Sequence, residues 1–158
     1  QEELRTPIHL EPWQGKAYWF WGDRYTFKVS SEDTDGAYAV LDMEVQPGSG
    51  PPPHIHHAED ELFYVLDGEL TFWCNGERIA GRPGTLVNIP RGTVHNFRNE
   101  SAQVTRFLVT LVPGGFERFF AVIGTAVSEE HPTPPPFSEA SLAKAIEIAP
   151  DYNLEFVT

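Results

Sequence analysis

The sequence predicts an all-β fold, a small β-barrel followed by short C-terminal helices, and three observations carry that reading. Apolar and polar residues alternate along several short runs. Asp67-Gly68 and Asn75-Gly76 punctuate those runs as hairpin signals. Three histidines and a glutamate fall at spacings that suit one metal ion inside such a barrel. His54 and His56 stand two residues apart, so on an extended strand both rings leave one face, about 6.5 Å apart along the chain. Glu61 follows His56 by an odd step. A turn or bulge at Ala58-Glu59-Asp60 must therefore intervene before Glu61, Phe63 and Val65 can share the histidines' side. His95 follows the tight turn Pro90-Arg91-Gly92-Thr93-Val94 and is expected to reach back across the barrel. Glu59 and Asp60 are read as solvated turn charges, and His9, His57 and His131 as bystanders.

Taken in order, Gln1 to Gln14 is a polar arm in which Pro7 and Pro12 discourage regular structure, leaving it free to cross to a partner subunit. Residues 17–21 and 24–29 are β-rich runs joined by Gly22-Asp23, which reads as a hairpin. Either Trp19 and Trp21 or Tyr18 and Phe20 face inward. Beyond the acidic turn at 32–36, Ala39, Leu41, Met43 and Val45 share one face. Pro51-Pro52-Pro53 lacks backbone donors and prefers an extended form, so it delivers His54 rigidly to the barrel edge. Residues 63–66 and 69–74 form a meander whose turns fix the register of the metal-bearing strand. Leu86 to Ile89 is a short strand, and Val104 to Val112 is the last long one, with Phe107, Val109 and Leu111 on one face. Neither Arg98 nor Arg106 reads as a substrate clamp. Pro113-Gly114-Gly115 opens a helix in which Phe116, Phe119, Phe120 and Ile123 make one apolar stripe ending at Gly124. That stripe serves core packing, the barrel mouth, or both. An extended proline-rich connector, His131 to Pro136, leads to a second helix capped by Ser138, carrying Leu142, Ala145, Ile146 and Ala149, and stopped by Pro150.

A chain of 158 residues suits one domain over 1–158, with a barrel core at about 17–112 and a helical extension at 113–158. Hydrophobic residues at 41% are ample for one core, and 13% aromatics suggest an aromatic-lined cavity. A formal charge of -12 argues against nucleic acid and anionic membrane partners, which need clustered Lys and Arg. No apolar run approaches a membrane span. The single cysteine, Cys74, cannot form an intramolecular disulfide, which fits a cytoplasmic location. Proline-bearing arms and apolar helices outside a barrel leave surface to bury, so a homodimer is expected.

Two motifs carry a family resemblance. Gly48, five residues, His54-Ile55-His56, four residues, Glu61, six residues and Gly68 resemble the first cupin motif. Gly84, five residues, Pro90, one residue, Gly92, two residues, His95, three residues and Asn99 resemble the second. So many fixed offsets are far more specific than a lone His-x-His. The resemblance implies a double-stranded β-helix, or jelly-roll barrel, with His54, His56, Glu61 and His95 as metal ligands. Phe116-Glu117-Arg118-Phe119-Phe120 with Gly124-Thr125 resembles the corresponding region of bacterial single-cupin quercetin 2,3-dioxygenases. That likeness implies a dioxygenase acting with O2 on a flavonol or a related phenolic or enolic substrate, with Glu61 as the catalytic proton acceptor. The alternative is a non-redox cupin, a binding module or a lyase, cyclase or isomerase using the metal as a Lewis acid. Mn, Fe, Co, Ni, Cu and Zn all accept imidazole and carboxylate, so the metal is a divalent transition ion of open identity.

Overall fold

Short alternating strands bury one face only by packing against a second sheet, and the computed structural model, which describes residues 5–157, shows two antiparallel sheets face to face. In chain order the strands are β1 (Lys16–Phe20), β2 (Asp23–Val29), β3 (Ala39–Val45), β4 (His54–His56), β5 (Asp60–Asp67), β6 (Leu70–Cys74), β7 (Glu77–Gly81), β8 (Leu86–Ile89), β9 (His95–Arg98) and β10 (Thr105–Val112). Helix α1 (Glu117–Ile123), strand β11 (Thr125–Ala126), helix α2 (Glu139–Ile148) and strand β12 (Leu154–Phe156) follow. The seven-stranded sheet runs β11-β1-β2-β3-β10-β5-β8 and the five-stranded sheet β12-β4-β9-β6-β7. This is the expected all-β jelly roll with short C-terminal helices.

The predicted inward faces of the long strands are buried: Ala39, Leu41, Met43 and Val45, then Phe63 and Val65, then Phe107, Val109 and Leu111. Between the sheets, Phe63 meets Phe72, Phe97 and Phe107 with ring centroids 5.3 to 5.9 Å apart. Glycine and asparagine positions of the two motifs turn out to be joinery. Gly48, at φ 80°, donates its N–H to the carbonyl of Asn99, and Asn99 donates back to Ser49. The fully buried Asn99 amide bonds the carbonyls of Val45 and Gln103. Gly92 donates to the carbonyl of His56, tying the second motif to the first.

Several expectations need correction. The first hairpin turns at Trp21-Gly22, both at positive φ, with Phe20 paired to Asp23. Two residues at positive φ are what a type I′ turn requires, and Asp23 is drawn inward to accept hydrogen bonds from Gln46 and Ser49. Phe20 is consequently buried and Trp21, half-buried like Tyr18 and Trp19, joins it in lining the interior cavity, so neither proposed facing pair holds as a pair. The arm falls partly outside the described residues. Its stretch from Glu11 to Gln14 is tied to its own barrel, because Lys28 Nζ donates to the carbonyls of Glu11, Pro12 and Gln14.

In α2, Ser138 caps as expected through Ser141 N–H, and Ala145 is buried, but Ile146 is 52% exposed. The helix stops at Ile148, just before Pro150 as expected, and a short 3-10 turn, Ala149–Tyr152, then leads into β12. That strand pairs with β4, so the sheets extend beyond residues 17–112.

Candidate metal centre

Strand β4 projects His54 and His56 from one face, and β9 lies beside it with His95 directly opposite His54. His95 therefore does not reach across the barrel. Glu61 makes the crossing, because the turn after His56 carries the chain into the other sheet, where β5 begins. Alternation reports which face a side chain takes and is silent about which sheet it belongs to. All four side chains are buried, and one ligand atom from each lies within 4.8 Å of the others.

The three imidazoles are oriented from behind. His54 Nδ1 is 2.9 Å from the carbonyl of Pro52, His95 Nδ1 2.9 Å from that of Thr93, and His56 Nδ1 3.1 Å from Glu59 Oε1. Carbonyl and carboxylate oxygens only accept, so each Nδ1 carries the proton and each Nε2 keeps its lone pair for the centre. His95 Nε2 and Glu61 Oε1 lie 2.9 Å apart, yet neither has hydrogen-bond geometry to any partner. Both are buried polar atoms aimed at common space. Such orphans are costly unless something fills that space, and this donor set, three imidazole nitrogens and a carboxylate oxygen, fits a divalent transition ion.

The electrostatics agree. Burial, reinforced by the neighbouring His56 and His95, lowers His54 to about 3 and keeps it neutral. Burial also opposes charge on Glu61, but His56, His95 and His54 outweigh it and hold the carboxyl down to about 2. For His56, burial is overcome by Glu61 and then Glu59, which raise it above its ordinary value.

Glu59 is a further correction. It is 5% exposed and bonded to His56, whereas its neighbour Asp60 pairs with Arg91 near the surface, as a turn charge should. The available signal was its three-residue offset from His56, the reach of a turn. His9, His57 and His131 lie outside the cluster. A cavity of about 60 Å³ adjoins the site, with Trp21, Phe116, Leu154 and Phe156 among its walls and Phe63 and Phe97 below. The Phe116 ring stands edge-on to His56 at 4.4 Å, so the α1 stripe serves both the core and the cavity. No Lys or Arg occurs among the described residues lining it.

The cupin domain profile matches residues 41–111, a span that includes all four residues of the cluster. This stretch of the chain is a cupin domain. A quercetin 2,3-dioxygenase of Bacillus subtilis is 33% identical to this cupin over 118 residues, taking in 75% of this chain and 35% of that protein. A quercetin 2,3-dioxygenase of Aspergillus japonicus is 27% identical over 117 residues, 70% of this chain and 33% of that one. This cupin thus spans about a third of the length of these curated relatives. Among solved structures, a Thermotoga maritima protein described as a "predicted oxalate decarboxylase" superposes with a TM-score of 0.55 at 25% identity, over 58% of this chain and 80% of that one.

Proposed function

We propose that this cupin is a metal-dependent dioxygenase in which His54, His56, Glu61 and His95 hold one divalent transition ion and a flavonol or related phenolic or enolic compound is cleaved with O2. The observation that carries the proposal is the meeting of three oriented Nε2 lone pairs and one carboxylate under an aromatic cavity free of basic side chains. An apolar aromatic wall suits a flat, uncharged ring system. It offers no counter-charge to a sugar phosphate or a dicarboxylate. When bound, the ion supplies open coordination positions and Lewis acidity for a substrate oxygen and for dioxygen. The chain's own part is to orient the three imidazoles from behind, exclude water with the aromatic wall, and accept the enolic proton on the Glu61 carboxylate.

A second reading has its own support. A volume of about 60 Å³ is small beside a three-ring flavonol, which on the dioxygenase reading extends through the cavity's open side or displaces side chains that line it. A smaller ligand, handled by a non-redox cupin through Lewis acidity, fits the cavity as it stands. The test follows flavonol loss, oxygen uptake and carbon monoxide release together in metal-loaded protein. Ring cleavage with O2 links all three; substrate loss without oxygen uptake leaves the non-redox reading in place.

A second copy of the chain is the proposed partner. On the outer face of the larger sheet, Leu108, Tyr64 and Leu86 stand side by side across three strands, the last two 44% and 58% exposed. A cytoplasmic location fits the free thiol of Cys74. Among the described residues no helix is long and apolar enough to cross a membrane.

A further inference from the structure

Two of the three ring-orienting contacts come from backbone carbonyls, which every sequence supplies; the third comes from a side chain. Glu59 belongs to neither strand, and its neighbours His57 and Asp60 turn outward, 52% and 39% exposed at their side chains. Glu59 turns inward instead, to 5% exposure, and places Oε1 at 3.1 Å from His56 Nδ1. Burying a carboxylate beside a second one, Glu61, is unfavourable in an otherwise apolar chamber unless cationic charge is added between them. His56 lies between the two, with Nδ1 toward Glu59 and Nε2 at 3.3 Å from Glu61 Oε1.

We infer that Glu59 is a positioning residue for the metal centre: through His56 it sets the affinity and electronic character of the bound ion without touching it. The inference rests on the metal-binding reading above. Two effects follow from the geometry. Glu59 fixes the His56 tautomer, which a neutral acceptor would also do, and it adds negative charge behind the ring, making His56 a stronger donor than His54 or His95. Glu59 and Glu61 together supply two negative charges, which balance one divalent ion and leave the loaded chamber neutral. Binding of an uncharged aromatic ligand beside that chamber then needs no further counter-ion.

Glu59→Gln keeps the size and the acceptor oxygen and removes only the charge, whereas Glu59→Ala removes both. The probe is Co2+ alone, with no substrate, titrated against a chelator while its visible absorption is recorded. The expected result is graded: binding weaker by about 10-fold in Glu59→Gln and toward about 100-fold in Glu59→Ala, the range lost when partners of ligating histidines are removed. The Co2+ bands should shift in both variants, and the melting temperature of the metal-free Glu59→Gln protein should stay near that of the parent. If Glu59→Ala does not fold, Glu59→Gln alone carries the test. Parent-like Co2+ affinity and spectrum in Glu59→Gln overturn the inference. So does a metal-free melting temperature that falls as far as the loaded one, since that marks a purely structural role. Failure of the parent itself to take up Co2+ overturns the metal reading, and is told apart from failure of the Glu59 inference by the parent's own titration.

Discussion

Asp23→Asn should make the protein's stability less sensitive to pH, by an amount that follows from the first hairpin. Asp23 is 3% exposed, with Oδ1 accepting the Gln46 N–H at 3.0 Å and Oδ2 the Ser49 hydroxyl at 2.6 Å. Burial pushes its carboxyl up from 3.8 to about 6, even though both hydrogen bonds favour the charged form. The native chain thus binds this proton more tightly than the unfolded chain does. The contribution to stability is fully present below 3.8 and is lost as pH rises through about 6. At about 1.4 kcal/mol per pH unit, the loss amounts to about 3 kcal/mol. Asparagine imitates the protonated acid: its Oδ1 still accepts from Gln46, and its Nδ2 donates to the Ser49 oxygen. Urea unfolding of both proteins across the pH range removes every shared titration by subtraction. The stability of Asp23→Asn relative to the parent should grow by about 3 kcal/mol between acid and neutral pH and then level off. A flat difference, or one that grows toward acid, would refute the assignment of Asp23 as a buried, raised carboxyl.

Other outcomes follow from the site and the surface. His54→Ala and His95→Ala should each lose most bound metal by elemental analysis, while His57→Ala, which removes only an exposed ring near Glu155, should keep it. Metal-saturated Glu61→Gln should turn over about 10²–10⁴-fold more slowly than the parent if the carboxylate also accepts a proton. Full recovery on adding metal would reduce its role to anchoring. Tyr64→Glu combined with Leu86→Glu should convert a dimer to a monomer by light scattering, and a parent that is already monomeric at micromolar concentration removes the dimer proposal.

Much of this was legible because alternation is local. Leu41, Phe63, Phe107 and their partners show their inward face within a few residues, and the offsets among Gly48, His54, His56, Glu61 and His95 are countable in the linear chain. What escaped depends on long-range pairing or on competition for a hydrogen-bond acceptor. Gly22-Asp23 looked like the turn until a buried acceptor was needed for Gln46 and Ser49, which moved the turn back by one residue. Asp60 and Glu59 are chemically alike and adjacent, and only the position of Arg91 on one side and His56 Nδ1 on the other separates their fates. Leu154-Glu155-Phe156 is too short to show a period, and its partner is the edge of β4, far away in sequence.

That last pairing sets the order in which the site can be finished during synthesis. Strand β4 meets β9 at a single register pair, His54 with His95, but meets β12 at three. Contacts from His57 to Asn153 and from Val157 to Pro53 lengthen the seam. A ribosome releases His54 and His56 long before Leu154, so until Leu154 emerges the strand that carries both histidines has one edge unlatched. Leu154 and Phe156 then arrive as both the missing strand and part of the chamber wall. Enclosure of the chamber therefore depends on a segment that follows the candidate ligand residues by the rest of the barrel and both helices.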